Sequence, residues 1–227
     1  MFSDINFLLV GNSRLHWANY SQNQSKFFHT KKGQKVPDNI DVNQLIWASV
    51  GQLPNFSLKE ENEIKTKDIQ LSNLPDYFGI DRALACLAAL KTIENPLKKD
   101  LIIADFGTIL SKTKLNSNGS ILGGQLIPGF LTQLKSMEQN TKNLKVPKKY
   151  EIPTKEFLIN TEEAILKGVI NSLTGFIMSS FNPKKDILIT CGGDSQFLTK
   201  FLETNKNNVI NAPNLVMEGM IIHHLTL

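Results

Sequence analysis

The sequence contains very little cysteine and very little arginine. Its two cysteines, Cys86 and Cys191, are far from any paired metal-ligand spacing, and such sparse use fits a reducing compartment. Of the 25 Lys and Arg residues, only Arg14 and Arg82 are arginines. Because a guanidinium binds phosphate or carboxylate at two points, both are candidate anion contacts. Ordinary surface ion pairs are the alternative interpretation of both residues.

Strong net charge and long hydrophobic runs are also absent. The formal charge is +4, and no basic stripe alternates with aromatic residues, so nucleic acid is not an expected partner. The N-terminus carries Asp4 and a short apolar run, which predicts neither a signal peptide nor a membrane span. A composition of 41% hydrophobic and 20% charged residues is that of a globular protein, expected in the cytoplasm.

Each half of the chain opens with an apolar strand, a glycine-containing turn and a returning strand, and then adds helices. The predicted strands are Phe7–Val10, Leu15–Tyr20, Lys26–Thr30, Gln44–Val50, a short one near Asp68–Leu71, one in Asp100–Thr108 that ends in a glycine turn, Ile109–Leu115, and one in Asp186–Ser195 that runs into a glycine pair. The predicted helices are Gly79–Ile93, Gly129–Asn140, Thr161–Phe181, Gln196–Glu203 and the C-terminal "NLVMEGMIIHHL". "NSNGS" and "GGQLIPG" are interpreted as turns.

This repetition predicts an α/β protein with two similar lobes and a ligand-binding cleft between them. The polar, proline-containing linker Asn95–Asp100 is the best candidate boundary. It divides the chain into an N-terminal lobe, residues 1–97, and a C-terminal lobe, residues 98–227.

Two of the glycine turns carry groups suited to phosphate chemistry. "VGNSR" offers backbone amides, the Ser13 hydroxyl and Arg14. "DFGT" offers the Asp105 carboxylate, the Gly107 amide and the Thr108 hydroxyl. Each signal is weak by itself, since glycine ends strands in many proteins.

A third turn, "CGGD", places Gly192 and Gly193 directly after a strand. Two glycines in succession let a flat ligand approach the backbone closely. A tight strand-to-helix turn with no ligand is the alternative.

Two helix starts carry polar side chains with two interpretations each. Asp81, beside Arg82 in "GIDRA", is either a helix N-cap or a carboxylate that accepts a proton from a substrate hydroxyl. Thr161, in "NTEEA", is either part of a helix start that Asn160 and Glu163 cap, or a substrate contact.

In order and approximate spacing, "VGNSRLHWA", "GIDRA", "ADFGT", "GGQLIPGF", "NTEEAILKG" and "TCGGDS" resemble the motifs of type III pantothenate kinases. The resemblance covers essentially the whole chain. It implies the two-lobed fold of the actin, sugar kinase and Hsp70 group, with two RNase H-like lobes. It also implies ATP-dependent phosphorylation of pantothenate, the first step towards coenzyme A, by a homodimer.

The resemblance implies a role for each matching residue. Asp81 would be the catalytic proton acceptor, and Asp105 would bind a monovalent cation, K⁺ or NH₄⁺, alongside the Mg²⁺ that accompanies ATP. Pantothenate would be contacted by Gly79, Ile80, Asp81, Arg82 and Thr161. ATP would be contacted by Leu9, Val10, Gly11, Asn12, Ser13, Arg14, Leu15, His16, Thr108, Gly192 and Gly193.

The first motif departs from the family pattern Asp-x-Gly-Asn-Thr-x-x-Lys. Ser13 replaces threonine and keeps the hydroxyl, whereas His16 replaces lysine and is a poorer cation at neutral pH. Leu9 replaces the aspartate and offers Mg²⁺ no oxygen. Asp4 cannot substitute, because five residues along a strand span about 17 Å. Tyr77 lies too close to Gly79 to match the substrate tyrosine of the family.

Two accounts of Leu9 therefore stay open. In the first, the nucleotide, water and Asp105 hold Mg²⁺ and the chain is an active pantothenate kinase. In the second, it is a non-catalytic nucleotide-binding or regulatory protein on the same fold. A kinase for another small hydroxy acid is a third possibility. The kinase interpretation requires Asp81 and Asp105 to converge on one gap facing the Gly11 turn.

Overall fold

The computed structural model describes residues 4–96, 98–151, 153–202 and 208–226, which form two compact α/β units. The first unit consists of Met1–Lys98, Leu115–Leu122 and Asn214–Leu227, and the second of Lys99–Lys114 and Gly123–Pro213. A boundary drawn along the sequence at residues 97/98 places 115–122 and 214–227 in the second lobe instead. Residue 97 of the predicted linker and residue 203, the predicted end of a helix, lie outside the described residues.

The first unit contains a four-stranded sheet in the order β3-β2-β1-β4. Its strands are β1 (Ile5–Val10), β2 (Arg14–Ser21), β3 (Gln24–Lys31) and β4 (Ile46–Ser49). β2 is antiparallel to both β1 and β3, while β4 is parallel to β1. Side chains alternate between the two faces, so residues directly opposite one another share a face.

The two faces of this sheet pack differently. One face carries a cluster of buried residues: Leu8, Val10, Leu15, Trp17, Ile40, Leu45 and Trp47. The other face packs against α5 (Leu215–Leu225), where the ring of His224 meets Phe7 at 5.7 Å. α5 also packs against α1 (Ile80–Thr92) so closely at Gly219 that any side chain there would overlap the carbonyl of Leu84. This contact explains why the C-terminal helix belongs to the first unit.

The second unit contains a five-stranded sheet in the order β7-β6-β5-β8-β9. Its strands are β5 (Asp100–Phe106), β6 (Ile109–Leu115), β7 (Ile121–Pro128), β8 (Asp186–Cys191) and β9 (Val209–Asn211). Its helices are α2 (Phe130–Asn140), α3 (Thr161–Met178) and α4 (Ser195–Leu198). β8 runs parallel to β5 and β9, and α2 and α3 contribute to one apolar core with the sheet.

Most predicted elements exist within a few residues of their expected bounds, and two expectations are wrong. The strand near Asp68–Leu71 is a 3-10 turn, Thr66–Asp68, followed by irregular backbone. "GGQLIPG" is not a turn but most of β7, an edge strand, where glycine and proline cost little because one side has no ladder to break. The strand predicted to run into the glycine pair ends at Cys191, directly before Gly192. β9 was not predicted, because three residues carry too little periodicity.

A buried carboxylate at the start of β8 organises one end of the second sheet. Asp186 is 1% exposed and accepts hydrogen bonds from the Asn182 backbone N–H at 2.7 Å and from Lys114 Nζ at 2.9 Å. Lys114 Nζ also lies 3.2 Å from Asp100 Oδ2. Removing the lysine would leave a buried charge without its main counterion.

We therefore expect Lys114→Met to lower the free energy of unfolding by about 3 kcal/mol, since breaking a buried pair exposes the full desolvation cost of the remaining charge. Urea unfolding followed by circular dichroism measures this. The exposed Lys184→Met is the matched control and should change the value by less than about 0.5 kcal/mol. Equal unfolding midpoints for the two variants would contradict the prediction.

Candidate functional site

The first glycine turn joins β1 to β2. The Gly11 N–H donates to the Arg14 carbonyl at 3.1 Å, which closes the turn. Asn12, Ser13 and Arg14 are exposed, whereas the side chains of the flanking residues are buried. The turn therefore offers ligands the side chains of residues 12–14 and local backbone groups.

A second glycine, which the sequence analysis missed, supports this turn. Gly51 approaches the Gly11 carbonyl so closely that a side chain at residue 51 would overlap it. The Val50 and Gly51 N–H groups donate to the Val10 carbonyl at 3.0 and 3.1 Å. The available signal was "WASVG", another buried strand that runs into a glycine.

The residues flanking the turn differ in what they can offer a ligand. Val10 and Leu15 belong to the buried core, at 0% and 1% exposure, so their side chains face away from solvent. Leu9 is 7% exposed and lies directly opposite His16 in the β1–β2 register. The side chains at positions 9 and 16 therefore share one face of the sheet.

His16 is uncharged in the folded protein at neutral pH. Burial, then the nearby His29 and Arg14, lower the pKa of His16 to about 4. Its Nε2 lies 3.1 Å from where a Cβ on Gly11 would stand, so the neutral imidazole borders the turn. An apolar Leu9 facing a neutral ring leaves no unbalanced charge at this position.

Asp81 is the second residue of α1 and is not its N-cap. The N-cap is Gly79, and the carboxylate Oδ1 of Asp81 accepts the Arg82 backbone N–H at 2.8 Å. Burial raises the pKa of Asp81, against the opposing effects of that hydrogen bond and the Arg82 charge. A buried carboxylate with a raised pKa is a stronger base than an exposed one.

The neighbours of Asp81 hold the start of the helix in place. The Arg82 guanidinium stacks over the Phe78 ring, with Cζ 4.0 Å from the ring centroid. A Cβ on Gly79 would stand 2.8 Å from Asp81 Oδ1, so glycine leaves room for the carboxylate. Ile80 is buried and offers a ligand only its backbone, while Tyr77 is 92% exposed.

In the second unit, Asp105 and Gly192 lie together at the ends of β5 and β8. Asp105 is paired in register with Cys191, and Gly192 follows with φ = +86°. A side chain on Gly192 would overlap Asp105 Oδ1, and its Cβ would stand 2.9 Å from the Phe106 backbone N. Gly193 is exposed and has open space around it.

The start of α2 fixes the Gly107–Thr108 turn. The Thr108 carbonyl accepts the Gly129 N–H at 2.9 Å and the Thr132 hydroxyl at 2.6 Å, and Thr108 itself is exposed. A side chain on Gly129 would overlap the Gly107 carbonyl. The sequence assigns Gly129 no role, although this glycine lies in the "GGQLIPGF" motif.

Thr161 is the first residue of α3 and is exposed. The cap is Asn160, whose side chain accepts the Glu163 backbone N–H at 3.1 Å. Helix capping therefore accounts for Asn160 and leaves the Thr161 side chain at the surface.

The described residues contain no group of three or more His, Cys, Asp or Glu side chains able to hold a metal ion. Asp105 supplies one carboxylate, which suits a cation that takes its other oxygen ligands from the phosphates of a substrate and from water. Asp81 belongs to the first unit and Asp105 to the second, and their convergence stays a prediction. No helix in the described part of the chain is long and apolar enough to cross a membrane.

Comparison with known proteins adds family and fold information. The family model described as Type III pantothenate kinase matches residues 48–182. A protein of that name from Synechocystis is 30% identical over 96% of this chain and 89% of its own length. Another, from Helicobacter pylori, is 27% identical over 97% of this chain and 92% of its own.

Among solved structures, a Campylobacter jejuni protein described as a Baf family transcriptional activator gives a TM-score of 0.65 at 20% identity. The alignment covers 98% of this chain and all of that one. The activator of a Clostridium difficile 2-hydroxyisocaproyl-CoA dehydratase gives 0.52 at 11% identity, covering 99% and 97%. These similarities confirm the two-lobed α/β fold that the sequence predicted.

Proposed function

Since the chain belongs to the type III pantothenate kinase family, we propose that it transfers the terminal phosphoryl group of ATP to the primary hydroxyl of pantothenate. The product is 4′-phosphopantothenate. The observation that carries this proposal is the family match at residues 48–182 together with a relative aligned over 96% of the chain.

In the proposed reaction, the hydroxyl oxygen of pantothenate bonds to the γ-phosphorus of ATP while the bond to the β–γ bridging oxygen breaks. ADP leaves, and Asp81 accepts the hydroxyl proton. The raised pKa of Asp81 supports this role, because it makes the carboxylate a better proton acceptor. Arg82, held over Phe78, would bind the carboxylate of pantothenate, with the backbone of Gly79 and Ile80 and the Thr161 hydroxyl as further contacts.

The glycine turns would hold the nucleotide. The Gly11–Arg14 turn would contact the phosphates, Thr108 would also contact ATP, and Gly192 and Gly193 would lie near the adenosine. Asp105 would bind a monovalent cation, K⁺ or NH₄⁺. Mg²⁺ would arrive with ATP and, when bound, neutralise charge on the phosphates.

The rival function is non-catalytic nucleotide binding, since Leu9 replaces the usual aspartate. The retained groups, Asp81, Arg82, Asp105 and Thr108, favour the enzyme.

We expect the purified wild-type chain to form 4′-phosphopantothenate from ATP and pantothenate in the presence of Mg²⁺ and K⁺, as measured by mass spectrometry. The chain with its natural Leu9 should already be active, so the Leu9→Asp substitution should not be required for product formation. Leu225→Asp, which changes an exposed leucine at the end of α5, is the control for an added carboxylate. Product from Leu9→Asp alone would mean that the natural chain is a degraded enzyme.

Two related assays complete the proposal. A panel of small hydroxy acids tests the third possibility, a different acceptor, through the ratio of kcat/KM values.

We also propose a homodimer in the cytoplasm, and light scattering should give a mass of twice 25.4 kDa.

A further inference from the structure

Three basic side chains stand together beside the first glycine turn. His16 on β2 is directly opposite His29 on β3, and their ring centroids are 6.4 Å apart. Arg14 Nη1 lies 3.2 Å from His29 Nε2. The β2–β3 register therefore assembles an Arg–His–His cluster from two strands.

This cluster borders the backbone that would hold phosphates. His16 Nε2 faces the Gly11 α-carbon, and Arg14 provides the carbonyl that closes the turn. Beyond β3, Lys32 Nζ donates to the Gln52 carbonyl at 3.0 Å, next to Gly51, the glycine that supports the turn. A positive group therefore lies in the turn, at Arg14, and another lies beside the segment that supports it, at Lys32.

The titratable neighbours that shift the pKa of His16 are both basic. Its pKa is lowered by burial and then by His29 and Arg14, and no carboxylate is among the groups that shift it. β1 contributes the apolar Leu9, and β3 contributes Lys31, two residues beyond His29. On the same face, α5 carries His224, which meets Phe7, and Glu218, which does not act on His16.

We propose that Arg14, His16 and His29 form a polyphosphate site that takes up one proton when the phosphates bind, with His29 as a further phosphate-binding residue. This proposal rests on the proposed function, because it takes the ligand to be the phosphate chain of the nucleotide.

The physical reason is the charge that a phosphate brings. Without ligand, protonating His16 would place a charge in a partly buried position beside the Arg14 guanidinium and the basic His29 ring, so the ring stays neutral at pH 7. Bound phosphates reverse this balance, since nearby negative charge favours the imidazolium form. The proton comes from solvent and remains on His16 as a phosphate hydrogen-bond donor.

Calorimetry of the wild-type protein with inorganic tripolyphosphate and with ADP, in buffers of different ionisation enthalpy, measures the proton uptake. We expect about half a proton per site at pH 7 and affinity about tenfold tighter at pH 6 than at pH 8, because both follow from a rise of about three units in the pKa of His16. The His16→Gln variant should lose both effects. Subtracting the proton uptake of His16→Gln from that of the wild type removes the contribution of protons that tripolyphosphate and ADP themselves bind or release.

His29→Gln should weaken tripolyphosphate binding about fivefold, whereas Lys26→Gln, at the far end of β3, should not. NMR titration of the wild-type His16 ring, with and without tripolyphosphate, needs no variant and should show a rise of about three units in its pKa.

An uptake of zero in the wild type, an unchanged His16 titration, or equal binding by His29→Gln and the wild type would overturn the proposal. The kinase assay separates this outcome from failure of the proposed function. Tripolyphosphate binding with proton uptake but no 4′-phosphopantothenate would overturn only the proposed function. An active kinase without uptake would overturn only the proton-linked site.

Discussion

Replacing Asp81 with asparagine is expected to lower kcat for pantothenate phosphorylation by about 10³-fold while the protein stays folded. Asparagine has nearly the same shape and can still accept the Arg82 backbone N–H, so the start of α1 should be preserved. It cannot accept the proton of the substrate hydroxyl, and a positioned base contributes about 10²–10⁴ to the rate. The measurement is steady-state kinetics together with thermal melting of both proteins.

The exposed Asp76→Asn is the matched control, since it removes a carboxylate five residues earlier and should leave kcat unchanged. Because burial raises the pKa of Asp81, the loss of kcat on acidification should begin at a higher pH than for an exposed aspartate. Wild-type turnover by Asp81→Asn would show that Asp81 only stabilises the helix start.

Lowering the pH should therefore have opposite effects through Asp81 and through His16. Protonation of Asp81 lowers kcat, whereas protonation of His16 strengthens phosphate binding and lowers KM for ATP. Measuring kcat and KM separately at each pH distinguishes the two effects. A single pH–rate profile at a fixed ATP concentration would combine them.

Gly192→Ala is expected to lower the free energy of unfolding by about 2–5 kcal/mol. The glycine has φ = +86°, a conformation that costs a residue with a Cβ about 1–2 kcal/mol. The new methyl group would also overlap Asp105 Oδ1 and crowd the Phe106 backbone, and overpacking adds about 1–3 kcal/mol. In a chain of this length, the melting temperature should fall by about 4–20 °C.

Gly193→Ala is the matched control for stability, because it adds the same methyl group one residue later into open space at ordinary φ. Its melting temperature should stay within about 2 °C of the wild-type value. If both variants melt alike, the close approach of Gly192 to Asp105 does not constrain the second unit.

Local patterns in the sequence predicted much of the fold. The apolar strand that runs into Gly11 and the helix over residues 80–92 have strong signals, because strand alternation and helical spacing are properties of neighbouring residues. The same reasoning failed for "GGQLIPG", where glycine and proline predict a turn. What makes this segment a strand is its edge position beside β6, which no local pattern contains.

At the candidate site, too, the sequence predicted local features and missed contacts between distant segments. The sequence placed Asp81 at a helix start and left open whether it caps the helix. The structure assigns the cap to Gly79 and buries the carboxylate. The sequence also singled out Gly11 and missed Gly51, since nothing in the residues near 51 reveals which backbone lies against it.

The sequence by itself determined the order of strands, glycine turns and helices, the family, and the chemical groups available to hold phosphates and accept a proton. Only the tertiary structure decided that Gly51 supports the Gly11 turn, that Gly192 meets Asp105, that His29 stands beside His16, and that α5 packs on α1. The reason is physical. Backbone preference and hydrophobic period depend on adjacent residues, whereas contacts, burial and pKa depend on strand register and on packing between distant segments.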